Sequence, residues 1–236
     1  HAIRDSSTSR GLGDVYKRQD ATGEIALLLL LGAARRAVEG ERLVRSGEWD
    51  FWSPAFMVGK QVTGQRLGIV GMGRVGQVMA RNARGLNMDI HYHNQRRLPP
   101  ALEQGATYHS TLESLLPVAD FLSLHCPATD KTNGMMNRDR LATMPDGAVL
   151  INCARGTLVD EAALLQAWDS GKRAAAGLDC FADEPGGNPA FAAHENIFML
   201  PHIGSATRAT RDAMGFRALD NMDAFFAGKT PGELVN

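Results

Sequence analysis

The sequence predicts an α/β fold built on a doubly wound parallel sheet. Three observations carry that expectation. The strand candidates are short, continuous apolar runs rather than alternating ones, the pattern of strands buried on both faces. Segments of helical period separate them. The first run, Leu67-Gly68-Ile69-Val70, ends in Gly71-Met72-Gly73-Arg74-Val75-Gly76 and passes at once into a helical stretch from Gln77.

Taken in order, residues 1–19 stand apart. Ser6-Ser7-Thr8-Ser9-Arg10-Gly11 is polar and aperiodic, so this stretch is expected to be a non-native or disordered leader. Residues 22–44 predict one helix, capped by Thr22 and loosened near its end by Gly40 and Gly47. Its apolar part, residues 25–34, is too short to span a bilayer, and Arg35, Arg36, Glu39, Glu41 and Arg42 continue it as an amphipathic helix. A loop at 48–59 carries Trp49, Phe51, Trp52 and Phe56. These form either a satellite hydrophobic cluster, a subunit contact or a substrate-pocket wall. Six strands are then expected at 66–70, 88–93, 120–125, 148–152, 174–179 and 197–200. Helices are expected at 74–84, 112–116, 137–143, 160–170 and 206–226.

The bulk properties narrow the function. The chain has 236 residues, 44% hydrophobic and 22% charged, a globular profile. Its net charge of −1 gives no electrostatic footprint for nucleic acid or an anionic membrane. Cys126, Cys153 and Cys180 are odd in number, widely spaced and free of any C-x-x-C pattern. That composition suits reduced thiols in a cytoplasmic protein.

The glycine stretch has a chemical reading. Gly71 permits a tight turn, Gly73 lets the backbone approach a pyrophosphate, and Gly76 lets the helix pack against the strand. The free N–H groups at the helix start then face the anion. Correct flanks on both sides lift the pattern above a chance glycine turn. In such folds, the turn after the second strand chooses between NAD and NADP. An acid there takes the ribose 2′-hydroxyl, whereas arginine takes the 2′-phosphate. Here the strand runs into His93-Asn94-Gln95-Arg96-Arg97, and Asp89 lies at its other end. NADP(H) is therefore expected, with NAD possible and a merely solvated basic turn as the bland alternative.

Three later stretches carry candidate catalysts: Asn152-Cys153-Ala154-Arg155-Gly156, Asp183-Glu184-Pro185 and Pro201-His202-Ile203-Gly204-Ser205. Each follows a predicted strand, where open α/β sheets bind ligands. Arg155 can fix a substrate carboxylate and polarise its carbonyl. His202 can donate the proton that completes hydride addition, and Glu184 can hold that imidazole and favour its charged form. The remaining histidines show no such partners in the sequence. His91 and His93 alternate on a strand without a third ligand, so no metal site is expected.

These motifs, with Leu124-His125-Cys126-Pro127, Thr132 and Gly177-Leu178-Asp179, resemble the D-isomer-specific 2-hydroxyacid dehydrogenase family from about residue 20 onward. The branch most similar is the glyoxylate and hydroxypyruvate reductases. The resemblance implies a Rossmann-type domain and assigns Arg155, Glu184 and His202 as catalytic. It places Gly71, Gly73, Arg74, Val75 and Gly76 at the pyrophosphate and Asn94, Gln95 and Arg96 at the 2′-phosphate. Pro127 and Thr132 fall on the adenosine side, and Cys153, Ala154, Asp179 and Gly204 around the nicotinamide. Trp52 matches an aromatic that reaches a partner's active site, which implies a homodimer. A Glu beside the His argues against the formate dehydrogenase branch, which carries Gln.

Members of the family usually have a substrate domain ahead of the helix at Thr22, and that domain is expected to be largely missing here. The domain division is then a leader at 1–19, a dinucleotide-binding domain at 20–206, and a helix at 207–236 returning to the substrate domain. The expected reaction is hydride transfer from NADPH to a small 2-oxo acid such as glyoxylate or hydroxypyruvate, giving the D-2-hydroxy acid. The chain alone is expected to bind NADP(H) but to catalyse poorly. Two alternatives are a nucleotide-sensing, corepressor-like binding protein and an inactive cofactor-binding fragment.

Overall fold

A computed structural model of the chain describes residues 14–169 and 175–232. Most of the predicted leader, Ser170, Ala174 and the last residues of the predicted C-terminal segment lie outside the described residues. Seven parallel strands form one sheet: β1 Arg66–Val70, β2 Asp89–His93, β3 Thr107–His109, β4 Phe121–Leu124, β5 Val149–Asn152, β6 Ala175–Leu178 and β7 Ile197–Met199. Their order across the sheet is β3-β2-β1-β4-β5-β6-β7. The chain winds outward from β1 to β3, then returns to lay β4 beside β1. The carboxyl ends of β1 and β4 thus flank the topological switch point, the expected ligand crevice.

Among the described residues, eight α-helices accompany the sheet: α1 Asp14–Ala34, α2 Ala37–Ser46, α3 Arg74–Arg84, α4 Pro100–Glu103, α5 Leu112–Leu115, α6 Arg138–Thr143, α7 Glu161–Asp169 and α8 Arg208–Phe226. Two hydrophobic clusters cover the two faces. One joins Leu29 and Leu30 of α1 and Met79 of α3 to Leu67, Ile69, Tyr92, Phe121 and Ile151. The other joins Leu115, Leu141 and Leu164 of α5, α6 and α7 to Val70, Leu122, Leu124, Leu150 and Leu178. In β1, β4, β5, β6 and β7 successive residues feed opposite clusters, so these strands read as mostly apolar runs. β2 instead alternates, with Ile90 and Tyr92 buried between Asp89, His91 and His93. No described helix is long and apolar enough to cross a membrane.

The structure corrects four local expectations. The predicted helix at 22–44 is two helices. Arg36 breaks it with a left-handed φ of 55°, and the Arg36 guanidinium grips Glu39 through bonds of 2.8 and 2.6 Å. Thr22 is no cap, because α1 already starts at Asp14. The Thr22 hydroxyl instead lies 2.8 Å from the Arg18 carbonyl and 3.2 Å from that of Gly204. A seventh strand, β3, had no counterpart in the sequence reading. Finally, the aromatic loop is not tucked under anything. Trp49, Phe51 and Trp52 are exposed by 54%, 59% and 75%, and within the loop only Phe51 and Phe56 stack, at 4.8 Å.

Candidate active site

The glycine turn sits at the mouth of the switch point. Gly71 has φ 94°, and a Cβ there would lie 2.5 Å from the Cys126 nitrogen after β4. The β1 and β4 loops therefore meet with no room for a side chain. Gly73 is the N-cap of α3 and supplies no side-chain acceptor to the helix. Space in front of it is open to at least 4 Å. An eleven-residue helix starting without a side-chain cap, behind a position with no Cβ, fits a bound pyrophosphate. Arg74 and Val75 begin that helix, and Gly76 is buried behind it.

The turn after β2 is built around two tyrosines. Asn94 is drawn inward, its Oδ1 accepting the Met72 N–H at 2.7 Å, so it braces the glycine turn. The Tyr108 hydroxyl of β3 donates to the Asn94 carbonyl at 3.3 Å. The Tyr92 hydroxyl donates to Glu103 at 2.6 Å and accepts the Leu98 N–H at 2.9 Å. Arg97 closes the group with bonds of 2.8 and 3.1 Å to the two Glu103 oxygens. The Arg97 guanidinium, then the Tyr92 hydroxyl, hold the Glu103 carboxyl below the usual carboxylate range against the effect of burial. Gln95 and Arg96 are exposed at the tip. Pro127 and Thr132 occupy one loop after β4, where the Thr132 hydroxyl donates to the Pro127 carbonyl at 2.7 Å.

The three predicted catalysts follow β5, β6 and β7, neighbours in the sheet. Arg155 ends a turn pinned by Asn152, which is 1% exposed. Asn152 donates to the Arg155 carbonyl at 2.8 Å and accepts the Ala154 N–H at 3.1 Å. The Arg155 guanidinium donates to the Ala154 carbonyl at 2.6 Å. Glu184 follows β6. One of its oxygens accepts the Phe181 N–H at 2.8 Å. The other accepts a hydrogen bond from His202 Nδ1 at 2.6 Å. Burial pushes the Glu184 carboxyl up, but the His202 bond, the Phe181 N–H and the charges of His202 and Arg155 outweigh it, and the net shift is downward.

His202 sits in the left-handed region, φ 53°, at a cost on the order of 1 kcal/mol for a residue with a Cβ. Asp179 holds it there. This fully buried carboxylate accepts the N–H groups of Ile203 and Gly204, each at 2.7 Å. Burial raises the Asp179 pKa, partly offset by those two bonds. Such strain persists only where the surroundings over-determine it.

Asp179, expected around the nicotinamide, turns its oxygens to the Ile203 and Gly204 N–H groups beside His202. Asn152 and Gly156 were quoted in a motif without a role. Asn152 shapes the Arg155 turn. Gly156 lets the Phe181–Ala182 peptide pass, since a Cβ would stand 1.8 Å from the Phe181 carbonyl carbon.

The cysteines form no reactive group. Burial pushes Cys126 up to about 11 and Cys180 up to about 12 and raises Cys153 further, so all three stay as thiols. Cys180, Glu184 and His202 bring ligand-type atoms within 4.8 Å of one another, but the His202 Nδ1 position is taken by Glu184. Several of the other histidines have partners that the sequence did not announce. His91 lies 3.1 Å from Asp89 and 3.0 Å from His109. His125 sits between Ser123 at 2.8 Å and the Cys153 sulfur at 3.6 Å, and burial pushes it down to about 4.

Comparison with known proteins gives a consistent match. Residues 27–204 match the family described as D-isomer specific 2-hydroxyacid dehydrogenase, NAD binding domain. A glycerate dehydrogenase of Hyphomicrobium methylovorum is 43% identical over 210 residues, covering 88% of this chain and 65% of its own length. A glyoxylate reductase of Thermococcus litoralis is 42% identical over 221 residues, covering 92% and 67%. Among solved structures, an NADPH-dependent glyoxylate/hydroxypyruvate reductase of Sinorhizobium meliloti, in complex with NADP and malonate, superposes with a TM-score of 0.83. It is 33% identical, covering 93% of this chain and 68% of that one. The chain thus spans about two thirds of the length of the relatives it matches.

Proposed function

Because the chain belongs to the D-isomer-specific 2-hydroxyacid dehydrogenase family, we propose that it forms the cofactor-binding body of an NADPH-dependent reductase of small 2-oxo acids. Similarity to a glyoxylate reductase and a glyoxylate/hydroxypyruvate reductase supports glyoxylate and hydroxypyruvate as the substrates, with the D-2-hydroxy acid as product. The nicotinamide cofactor supplies the hydride when bound. The glycine turn and the uncapped start of α3 hold its pyrophosphate. Arg155 pairs with the substrate carboxylate and draws electron density from the adjacent carbonyl. His202 gives its Nε2 proton to the carbonyl oxygen as the hydride arrives at carbon. Its Nδ1–H stays on the ring and donates to the Glu184 carboxylate, which fixes the ring and stabilises its cationic form. One hydride and one proton are consumed for each carbonyl reduced.

The carrying observation is the 2.6 Å His202–Glu184 pair on the strand end next to that of Arg155. The preference for NADPH is supported by the turn after β2: it holds no acid, its Asn94 amide is committed to Met72, and Arg96 is exposed. Residues 20–206 are read as the dinucleotide-binding domain, and α8 as the start of a return to a substrate domain. In support, α8 exposes Phe216, Leu219, Met222, Phe225 and Phe226. The exposed Trp49, Phe51 and Trp52 are read as a homodimer contact, and the three free thiols suit a cytoplasmic protein.

The test is a pair of measurements on the chain and its His202→Asn variant. Titration with NADPH, followed by nicotinamide fluorescence, should give equal affinities. The loss of reduced-nicotinamide absorbance with hydroxypyruvate should fall about 100-fold or more in the variant, the scale of a missing general acid. Equal turnover in the two proteins would refute the assignment.

A further inference from the structure

The turn after β2 carries two adjacent arginines, and the structure treats them differently. Arg97 is committed. Both of its bonds go to Glu103, whose side chain is only 7% exposed although the Arg97 side chain is 64% exposed. Tyr92, itself fully buried, donates to the same Glu103 oxygen that takes the Arg97 Nε proton. The group is anchored on both sides. Tyr92 accepts the Leu98 N–H, and Arg84 donates to the Glu103 carbonyl at 2.8 Å. A carboxylate removed from water holds its cation more firmly than an exposed one, because losing the partner would leave a buried charge uncompensated. Arg96, one residue earlier, has no hydrogen bond or ion pair among the described residues.

We propose that Glu103 is a specificity-determining residue for the cofactor. By binding Arg97 it neutralises one of the two positive charges of the turn and leaves Arg96 alone to meet a 2′-phosphate, which sets how strongly NADPH is favoured over NADH. The inference rests on reading this turn as the 2′ site. Glu103 acts through Arg97 and touches no cofactor atom.

Glu103→Gln keeps the size of the side chain and an oxygen for the Tyr92 hydroxyl, so the turn keeps its shape while Arg97 loses its counter-charge. NADPH and NADH are titrated by nicotinamide fluorescence into the parent chain, E103Q and the double variant E103Q/R97Q, at low and at high salt. For E103Q, the ratio of NADPH to NADH affinity should rise about threefold to tenfold, the scale of one added surface charge acting on a phosphate within a Debye length. That gain should shrink at high salt, which a purely structural change would not produce. NADH affinity should stay within about twofold. The double variant, which restores charge balance in the buried group, should return to within about twofold of the parent ratio. An unchanged or lower ratio in E103Q overturns the proposal. So does a severalfold loss of NADPH preference in the double variant, which would show Arg97 already at work in the parent. If the parent binds neither nucleotide, the functional reading fails and the proposal falls with it. If the parent binds both and only the ratio stays flat, the proposal alone falls.

Discussion

Gly156→Ala adds one carbon at the tightest point of the site. The new Cβ would stand 1.8 Å from the Phe181 carbonyl carbon, 2.0 Å from its oxygen and 2.3 Å from the Ala182 nitrogen. Ordinary contact begins at 3.4 Å, so the Phe181–Ala182 peptide must retreat by about 1.6 Å or the Arg155 turn must. The N–H of that peptide, on Ala182, donates to Glu161, and the N–H of the peptide before it, on Phe181, donates to Glu184, each at 2.8 Å. A retreat of that size takes both beyond bonding range. Each such bond contributes about 1.5–3 kcal/mol. The stiffer unfolded chain of an alanine returns only about 0.4–1 kcal/mol. After partial relaxation, a net loss of about 3 kcal/mol is expected, together with misalignment of Glu184 on His202. Urea unfolding of the two proteins measures the first effect, and hydroxypyruvate turnover at saturating NADPH measures the second. A variant within about 0.5 kcal/mol of the parent would show that this close approach is not what requires glycine.

Gly73→Ala should do the reverse. Its Cβ meets no protein atom, so stability should hold within about 0.5 kcal/mol, while NADPH affinity should drop at least about tenfold as the methyl group occupies the pyrophosphate space; unchanged affinity would remove the cradle from the site. At the opposite end of the sheet, Asp120 accepts three N–H groups of Arg66, at 2.8, 3.0 and 3.2 Å. The Arg66 bond holds the Asp120 carboxyl below its usual range. A depressed folded value contributes stability that is complete above the unfolded Asp pKa of about 3.9 and fades as pH falls through the folded one. Asp120→Asn should therefore lower stability near neutral pH and flatten the acid limb of a stability–pH curve; a parallel limb in both proteins would contradict the assignment.

What was legible in the sequence, and what was not, divides along physical lines. Five of the strands were readable because both of their faces feed a hydrophobic cluster and most of their positions are apolar. β2 was readable from the buried Ile90 and Tyr92 between its polar residues. β3 was not, because Thr107, Tyr108 and His109 form a short edge strand that is never fully buried. The break at Arg36 carries no Gly or Pro; a polar residue takes the left-handed conformation and is held there by Glu39. Arg155, Glu184 and His202 could be named because each follows a strand, and strand order places their ends side by side. The supports beneath them were hidden. Asp179 and Asn152 act by bonding to backbone, which leaves no mark of residue type beyond a polar residue near a strand end. Glu103 lies six residues beyond Arg97 and joins it only because α4 folds back over the turn.

The position of α1 bears on how the chain is made. Leu29 of this helix packs on Gly177 of β6, and Gly32 faces the Phe198 ring of β7. Those partners lie roughly 150 residues downstream. At synthesis rates of about 5–20 residues per second, the apolar flank of α1 waits on the order of 10–30 s before β6 and β7 emerge to cover it. The same helix also packs on α3, where Gly23 faces Val78 and where Met79 joins its cluster, so one flank can settle early while the other waits for the last strands. Such long-range contacts slow folding, because loop closure must precede the burial that rewards it.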